Sequence, residues 1–488
     1  MFLENLKYCG FEAGISTQDV ELYKIIQNLQ KVITMLILDY PEWTQPTLTQ
    51  ILIPKAAYAL TPELEQVDKL LENDDFEEPI LERFNTQRGR PTVPVRVYLR
   101  MMFLKHCTGL SYEDLEPEVS HNLMYRYFCH IPFEQKVPDA TALMKITTKY
   151  GEDVINEINQ RLLKALAEKK LVKGRKLRVD TTVVEANITH PTDAGLLYEG
   201  VKKLTRAVTR IKQACGKATR QSTRQIDEMK EHMLSIGKVL RRRTEDARKE
   251  VREITGKMAV QAKKVLGHVE RLAKKLIPET AADRKLLGNL LETAKNVRKV
   301  IDQSEAVNAG NTKLADRVVS LDDTDARPIV KGKLGKRVEF GYKLQVQEVE
   351  GGIITGYQLH KGNPCDKTLM DDALKQHQNV FGKPPREITL DRGYYDSDNE
   401  KQAYDAGVKN VCIPKIGRKS KERAKFESTP TFKRLKRWRA GIEGRISCLK
   451  RRFGLSRSML KGYRKTQTWT GLGIFAHNLR QAARLMPT

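Results

Sequence analysis

The sequence predicts an α/β protein: a mixed sheet flanked by helices, interrupted by a long helical insertion and preceded by an all-helical N-terminal region. Three observations predict it. Val338, Phe340, Tyr342, Leu344 and Val346 recur at every second position, the period of a half-buried strand. Two short apolar runs, Lys176-Leu177-Arg178-Val179-Asp180 and Ile388-Thr389-Leu390-Asp391, each end on an aspartate. Between the first run and the alternating segment, apolar residues recur at heptad spacing for about a hundred residues.

Residues 1 to 85 look helical and mildly charged, with a proline-containing break from Pro41 to Pro54. The polar stretch from Asn85 to Pro91 opens a second helical region, 86–170, suited to DNA binding or dimerisation. There Val95 to Cys107 has helical spacing, and Ser111 precedes Asp114 at capping-box distance. Helices are expected at about 118–129 and 140–169. Short helices joined by tight turns suit a helix-turn-helix or a small packing domain equally. A first strand runs from Leu177 to about residue 186. The alternating strand takes Ile353–Leu359 as its hairpin partner across Glu350-Gly351-Gly352. Then follow a helix from Pro364 to Phe381, a strand from Glu387 to Asp391, a helix from Asp398 to Ala406, a strand from Val408 to Ile413 and a basic helix. That order describes a mixed sheet with helices on its faces. Its segments are 171–198 and 306–456, and a helical tail occupies 457–488.

The insertion, 199–305, carries Leu204, Val208, Ile211 and Cys215, then Ile226, Met229, Met233, Ile236 and Leu240, then Met258, Ala262, Val265, Val269, Leu272 and Leu276. Gly216, Gly237 and Gly267 argue against one continuous rod. Packed antiparallel hairpins or a partner-binding coiled coil are expected. Its net charge over 199–302 is +14, enough to suit DNA as well as solvent.

The whole chain carries +26 over 488 residues and a pI of about 9.6. Such an excess points to a polyanionic partner, most simply nucleic acid, with a membrane surface as the weaker alternative. The apolar run Val32–Leu38 is too short to span a bilayer, and the first residues lack a signal-peptide pattern. Seven scattered cysteines without a CxxC suit reduced thiols in a cytoplasmic protein. His106-Cys107 and Cys129-His130 match no zinc spacing and are assigned to core packing.

Against this basic background three acids stand out. Asp180 and Asp391 end strands expected to be neighbours, and ligands of open α/β sheets bind at the carboxyl ends of strands. Carboxylates there are costly to desolvate unless paired or bound to metal. Glu443 lies on a helix whose apolar face is Leu435, Trp438, Ile442, Ile446, Leu449 and Phe453. It shares an adjacent face with Arg439 and Lys450. From Lys409 to Lys465 there are 20 basic residues and 3 acidic ones, so this acid is more than surface decoration. Carboxylates suit hard Mg2+ or Mn2+, and a pair of such ions can activate an attacking oxygen and stabilise a leaving one. Glu185, Asp371, Asp372, Asp396 and Asp398 lie nearby in sequence.

These residues resemble the bacterial insertion-sequence transposases of the DDE superfamily. Asp180, Asp391 and Glu443, in that order, look like the family's catalytic triad. Arg439, Glu443 and Lys450 keep the spacing Arg-x3-Glu-x6-Lys of its Tyr-Arg-Glu-Lys signature, whereas the Tyr position holds Lys436. Leu390–Asp396 and Val179–Asn187 resemble the motifs around the second and first acids. The resemblance spans about 88–485. It implies an RNase H-like core, metal binding by Asp180, Asp391 and Glu443 with two Mg2+ or Mn2+ ions, and cleavage and strand transfer at transposon ends. It also implies a phosphate contact by Lys450 and support of Glu443 or the DNA backbone by Arg439. Lys436, Arg437, Arg451 and Arg452 are the further expected DNA contacts. The double-stranded DNA partners implied are terminal inverted repeats and target DNA, bound by a homodimer in the bacterial cytoplasm at the nucleoid, with no membrane. The alternatives are a hydrolytic nuclease on the same core, without strand transfer, and a non-catalytic architectural DNA-binding protein.

Overall fold

The computed structural model describes residues 39–40, 43, 52–82, 93–214, 223–278, 280–331 and 338–486. The helices expected before residue 39, most of the Pro41–Pro54 break, the polar stretch at 85–91 and Cys215 lie outside the described residues. The chain divides into two units, Met1–Leu166 with Phe475–Thr488, and Ala167–Ile474.

The described residues of the first unit are helical: α1 (Pro62–Leu71), α2 (Glu78–Leu81), α3 (Val95–Thr108), α4 (Tyr112–His121), α5 (Leu123–Phe128) and α6 (Ala140–Glu168). Its central element is α3, buried on every side from Val97 to His106. Arg100 is therefore fully enclosed, and it is matched by Asp68 at 2.8 Å and Glu72 at 2.5 Å on α1. Ser111 caps α4 by accepting from the Asp114 amide at 3.0 Å. The single helix expected at 118–129 is two helices. Asn122 leaves the helical region (φ −100°, ψ 104°), and its side chain caps α5 by accepting from Tyr125. The only basic residue of α5, Arg126, turns inward to the carbonyls of Pro132 and Phe133. Gly151, at φ 72°, breaks α6 into two arms.

The second unit is built on β1 (Lys176–Glu185), β2 (Arg327–Val330), β3 (Val338–Val349), β4 (Ile354–His360), β5 (Glu387–Leu390) and β6 (Asn410–Cys412). The order is β2-β3-β1-β5-β6, with β4 also paired to β3. β1 and β3 run antiparallel, with Asp180 opposite Val346. β1 and β5 run parallel, with Val179 beside Leu390. This is the mixed open sheet expected of an RNase H-like core. β2 carries no legible strand signal, because it is four residues long and contains Pro328, tolerated on an edge.

Alternation along β3 assigns helices to faces. Gln345 and Gln347 reach Leu369 and Gln376, so they face the helix α11 (Met370–Phe381) and the 3-10 turn before it. Val346 and Glu348 point the other way. There, after α12 (Ser397–Asp405) and α13 (Lys421–Ser428), the long helix α14 (Pro430–Arg452) packs on β1, β5 and β6. α15 (Tyr463–Leu485) follows and crosses into the first unit.

Among the described residues the insertion is four helices: α7 (Asp193–Ala214), α8 (Arg224–Leu240), α9 (Glu245–Lys274) and α10 (Ala281–Asn308). They share one apolar core that includes Leu204, Ile211, Met229, Met258, Val265, Leu290 and Val297. The heptad seams are thus spent internally, not offered to a partner. Leu240 is an exception: it is 52% exposed, because the seam outruns the helices that cover it. The ends of the bundle are tied together: Asp193 accepts from Gln303 at 3.0 Å and pairs with Arg317 at 2.8 Å. No described helix is long and apolar enough to cross a membrane.

Candidate active site

β1 and β5 lie side by side and in parallel, so the residues one step past the Val179–Leu390 pair are Asp180 and Asp391. The two acids therefore lie at neighbouring points, but only Asp391 follows the end of its strand; Asp180, expected to end one, sits within β1, which continues to Glu185 because β3 goes on pairing with it. α14 crosses the same face and supplies Arg439 and Glu443, one turn apart. The Arg439 guanidinium sits among all three acids. It is 3.6 Å from an oxygen of Asp180, 3.6 Å from one of Asp391 and 3.6 Å from one of Glu443. The site opens towards the surface in that order: the side chains are 17%, 42% and 70% exposed.

Burial raises the Asp180 carboxyl, pushing it up to about 6; the negative charge of Asp391 adds to the rise, while the Thr181 amide and Arg439 oppose it. Such a carboxylate is poorly satisfied by the cation beside it. Among the described residues, one set of three His, Cys, Asp or Glu side chains has ligand atoms mutually within 4.8 Å, and it is Asp68, Glu72 and His130 in the first unit. Those carboxylates are already matched by Arg100. The triad is more open than that set, spread around a guanidinium broader than a metal ion.

The position of α14 is fixed from beneath. Glu348 is fully buried and takes both prongs of Arg178, at 2.9 and 2.6 Å, and Arg445 at 3.1 Å. Arg178 also donates to the Trp438 carbonyl at 2.6 Å and stacks against its indole. One ion network thus ties β1, β3 and α14 together, two residues from Asp180 and one residue from Arg439. The helix can come so close because residue 441 is glycine: a Cβ there would stand 2.4 Å from Arg178 Nη1. Leu435, Ile442 and Leu449 bury the apolar face of α14, as their spacing predicts. A second ion pair, Arg434 with Glu387 at 3.0 Å, holds the start of α14 to β5.

The other expected residues divide. Lys436, Arg437, Arg451 and Arg452 are exposed along α14. Lys450 is half-buried and lies 3.9 Å from Glu339. Arg439, expected to support Glu443 or the DNA backbone, pairs with Glu443 and with Asp180 and Asp391 as well. Asp371 pairs with Lys375, and Asp396 caps α12 while pairing with Lys367, so both are occupied elsewhere. Sequence reasoning missed Arg178, Glu348, Thr181, Lys343 and Asp366. No local periodicity marks them, since each finds its partner in a distant part of the chain.

Residues 52–149 match the family described as Transposase domain (DUF772). Residues 313–479 match the family described as Transposase DDE domain. Asp391 and Glu443 fall within the second match, and Asp180 precedes it across the insertion. An uncharacterized protein, ORF8 in the nfe locus of Rhizobium meliloti, is 32% identical over 127 residues, which are 24% of this chain and 59% of that protein. The chain thus spans about three fifths of that relative's length. No solved structure matches.

Proposed function

The chain belongs to the DDE transposases of insertion sequences, and on that premise we propose that Asp180, Asp391 and Glu443 are the catalytic carboxylates for cleaving transposon ends and joining them to target DNA. The observation that carries this reading is the single cation seated among the three acids. A guanidinium equidistant from three carboxylates marks where positive charge is wanted. The donor set is all oxygen, which suits hard divalent ions. Two Mg2+ or Mn2+ ions held there would polarise the phosphodiester and lower the barrier to attack by water or a 3′-hydroxyl. Asp180, the deepest acid, is the anchor. Asp391 and Glu443 complete the ligand set from the rim. Arg439 balances their charge and, when displaced, is placed to turn towards a phosphate. Lys436, Arg437, Arg451 and Arg452 grip the DNA backbone along α14, and Lys450 holds a phosphate near the cleaved end. The reading extends to a homodimer bringing two ends together in the cytoplasm.

The test separates transposition from simple hydrolysis. Purified protein is given a pre-cut end carrying the inverted repeat, a supercoiled target and Mg2+. Joined product that disappears when the end lacks its 3′-hydroxyl is the expected outcome. Nicked DNA without joined product would favour the hydrolytic nuclease. DNA bound but left intact would favour an architectural protein.

A pH dependence follows from Asp180. Its carboxyl titrates near 6 and must be ionised to hold metal, so protons compete with the ion below that pH. Mn2+ affinity, followed by electron paramagnetic resonance, is expected to fall about tenfold from pH 7 to pH 5. An affinity that is flat over this range would take Asp180 out of the ligand set.

A further inference from the structure

A fourth carboxylate lies close to Asp180 and to the loop that follows Asp391, on the α11 side of the sheet. Asp366 opens the 3-10 turn that follows β4. Its Oδ1 accepts from the Thr181 hydroxyl at 3.1 Å and lies 2.6 Å from the Lys343 ammonium. Its Oδ2 approaches the segment after Asp391 so closely that a Cβ on Gly393 would stand 2.9 Å away. Asp366 therefore touches the residue that follows Asp180 and borders the loop that follows Asp391. Its charge is near enough to add to the upward push on the Asp180 carboxyl. Lys343 is buried and otherwise donates to the Pro364 carbonyl at 2.7 Å.

We propose that Asp366 and Lys343 are positioning residues of the metal site: Asp366 neutralises Lys343 and joins the strand of the first acid to the loop of the second. The proposal rests on the reading that Asp180, Asp391 and Glu443 hold divalent ions. Oδ1 of Asp366 already takes two donors, so that atom orients protein groups instead of a metal. A buried ammonium stripped of its carboxylate would remain one hydrogen-bonded link from the residue beside Asp180. In so weakly screened a place its charge would repel a divalent ion. Asparagine at 366 keeps the shape and the acceptor for Thr181 but leaves Lys343 uncompensated. Methionine at 343 then removes that charge while filling the same space.

Mn2+ binding to the full chain, followed by electron paramagnetic resonance with a thermal melt alongside, tests this. Asp366→Asn is expected to weaken Mn2+ by roughly 10- to 100-fold, the range for groups that orient metal ligands. The double variant Asp366→Asn with Lys343→Met is expected to return to within about threefold of wild type, which a merely structural defect would not do. Wild-type affinity in Asp366→Asn overturns the proposal, and so does a folded double variant as weak as the single one. If Asp366→Asn melts below the assay temperature, the double variant alone decides, by the same two outcomes. Asp180→Asn serves as the control for the underlying reading. If it binds Mn2+ as wild type does, the metal reading falls and this proposal with it. If it loses the ion while Asp366→Asn keeps it, only the positioning role fails.

Discussion

Alanine in place of Asp180, Asp391 or Glu443, one at a time, is expected to lower DNA cleavage by about a thousandfold or more, several kcal/mol of transition-state stabilisation. End binding should stay near wild type, because the exposed basic residues of α14 are untouched. The three losses should not add, since any one of them dismantles the same site. Stability separates this result from misfolding. The Asp180 carboxyl is raised in the fold above its ordinary value by burial. Such a group makes the folded state relatively less stable as pH rises from about 4 to 6, and that deficit persists at pH 7. Asp180→Asn removes the deficit, so it should melt no lower than wild type while losing activity. Nicking assays in Mg2+, gel shifts and melting curves at pH 7 decide the matter. Substantial cleavage by any one variant would remove that residue from the triad.

The largest stability effect is expected at Glu348. Its side chain is fully buried between Arg178 and Arg445. Glu348→Ala leaves two guanidinium groups enclosed without their counter-charge, and breaking a buried pair from one side costs about 3–5 kcal/mol. Because the same network ties α14 to β1, the damage should also reach activity at temperatures where the protein stays folded. Replacing Arg178, Glu348 and Arg445 together by apolar residues of similar volume should recover much of the stability. It should not recover cleavage, since Arg178 also holds the Trp438 carbonyl, one residue before Arg439. Urea unfolding compared with cleavage rates provides the check. A loss below about 1 kcal/mol in Glu348→Ala would mean that water reaches the two arginines.

Much of the fold is legible in the sequence because its signals are local. The period-2 run of β3, the apolar runs that lead into Asp180 and Asp391, and the stripe Leu435, Ile442, Leu449 all report what the next few residues must do. Local signals fail where a partner decides the outcome. β2 is a strand because β3 offers it an edge, not because Pro328 favours extension. Asn122 splits a helix through one side-chain bond. The Arg439–Glu443 step along a helix is visible in the sequence, but the approach of Arg439 to Asp180 and Asp391 depends on where α14 lands. Arg178 reads as an ordinary polar strand residue until Glu348 is brought beside it.

The helical insertion also bears on synthesis at the ribosome. β1 is the central strand, yet its antiparallel partner β3 begins only at residue 338, far beyond the end of β1 at residue 185. At about 5–20 residues per second, the wait is on the order of 10 s, during which an apolar strand has both edges bare. The bundle fills that interval. Its helices pack on near neighbours and can form as they emerge, and the tie of Asp193 to Gln303 and Arg317 then returns the chain to its starting point. The nascent protein thus meets the second half of its sheet with the intervening loop already closed, and the closure entropy of that long loop no longer opposes pairing.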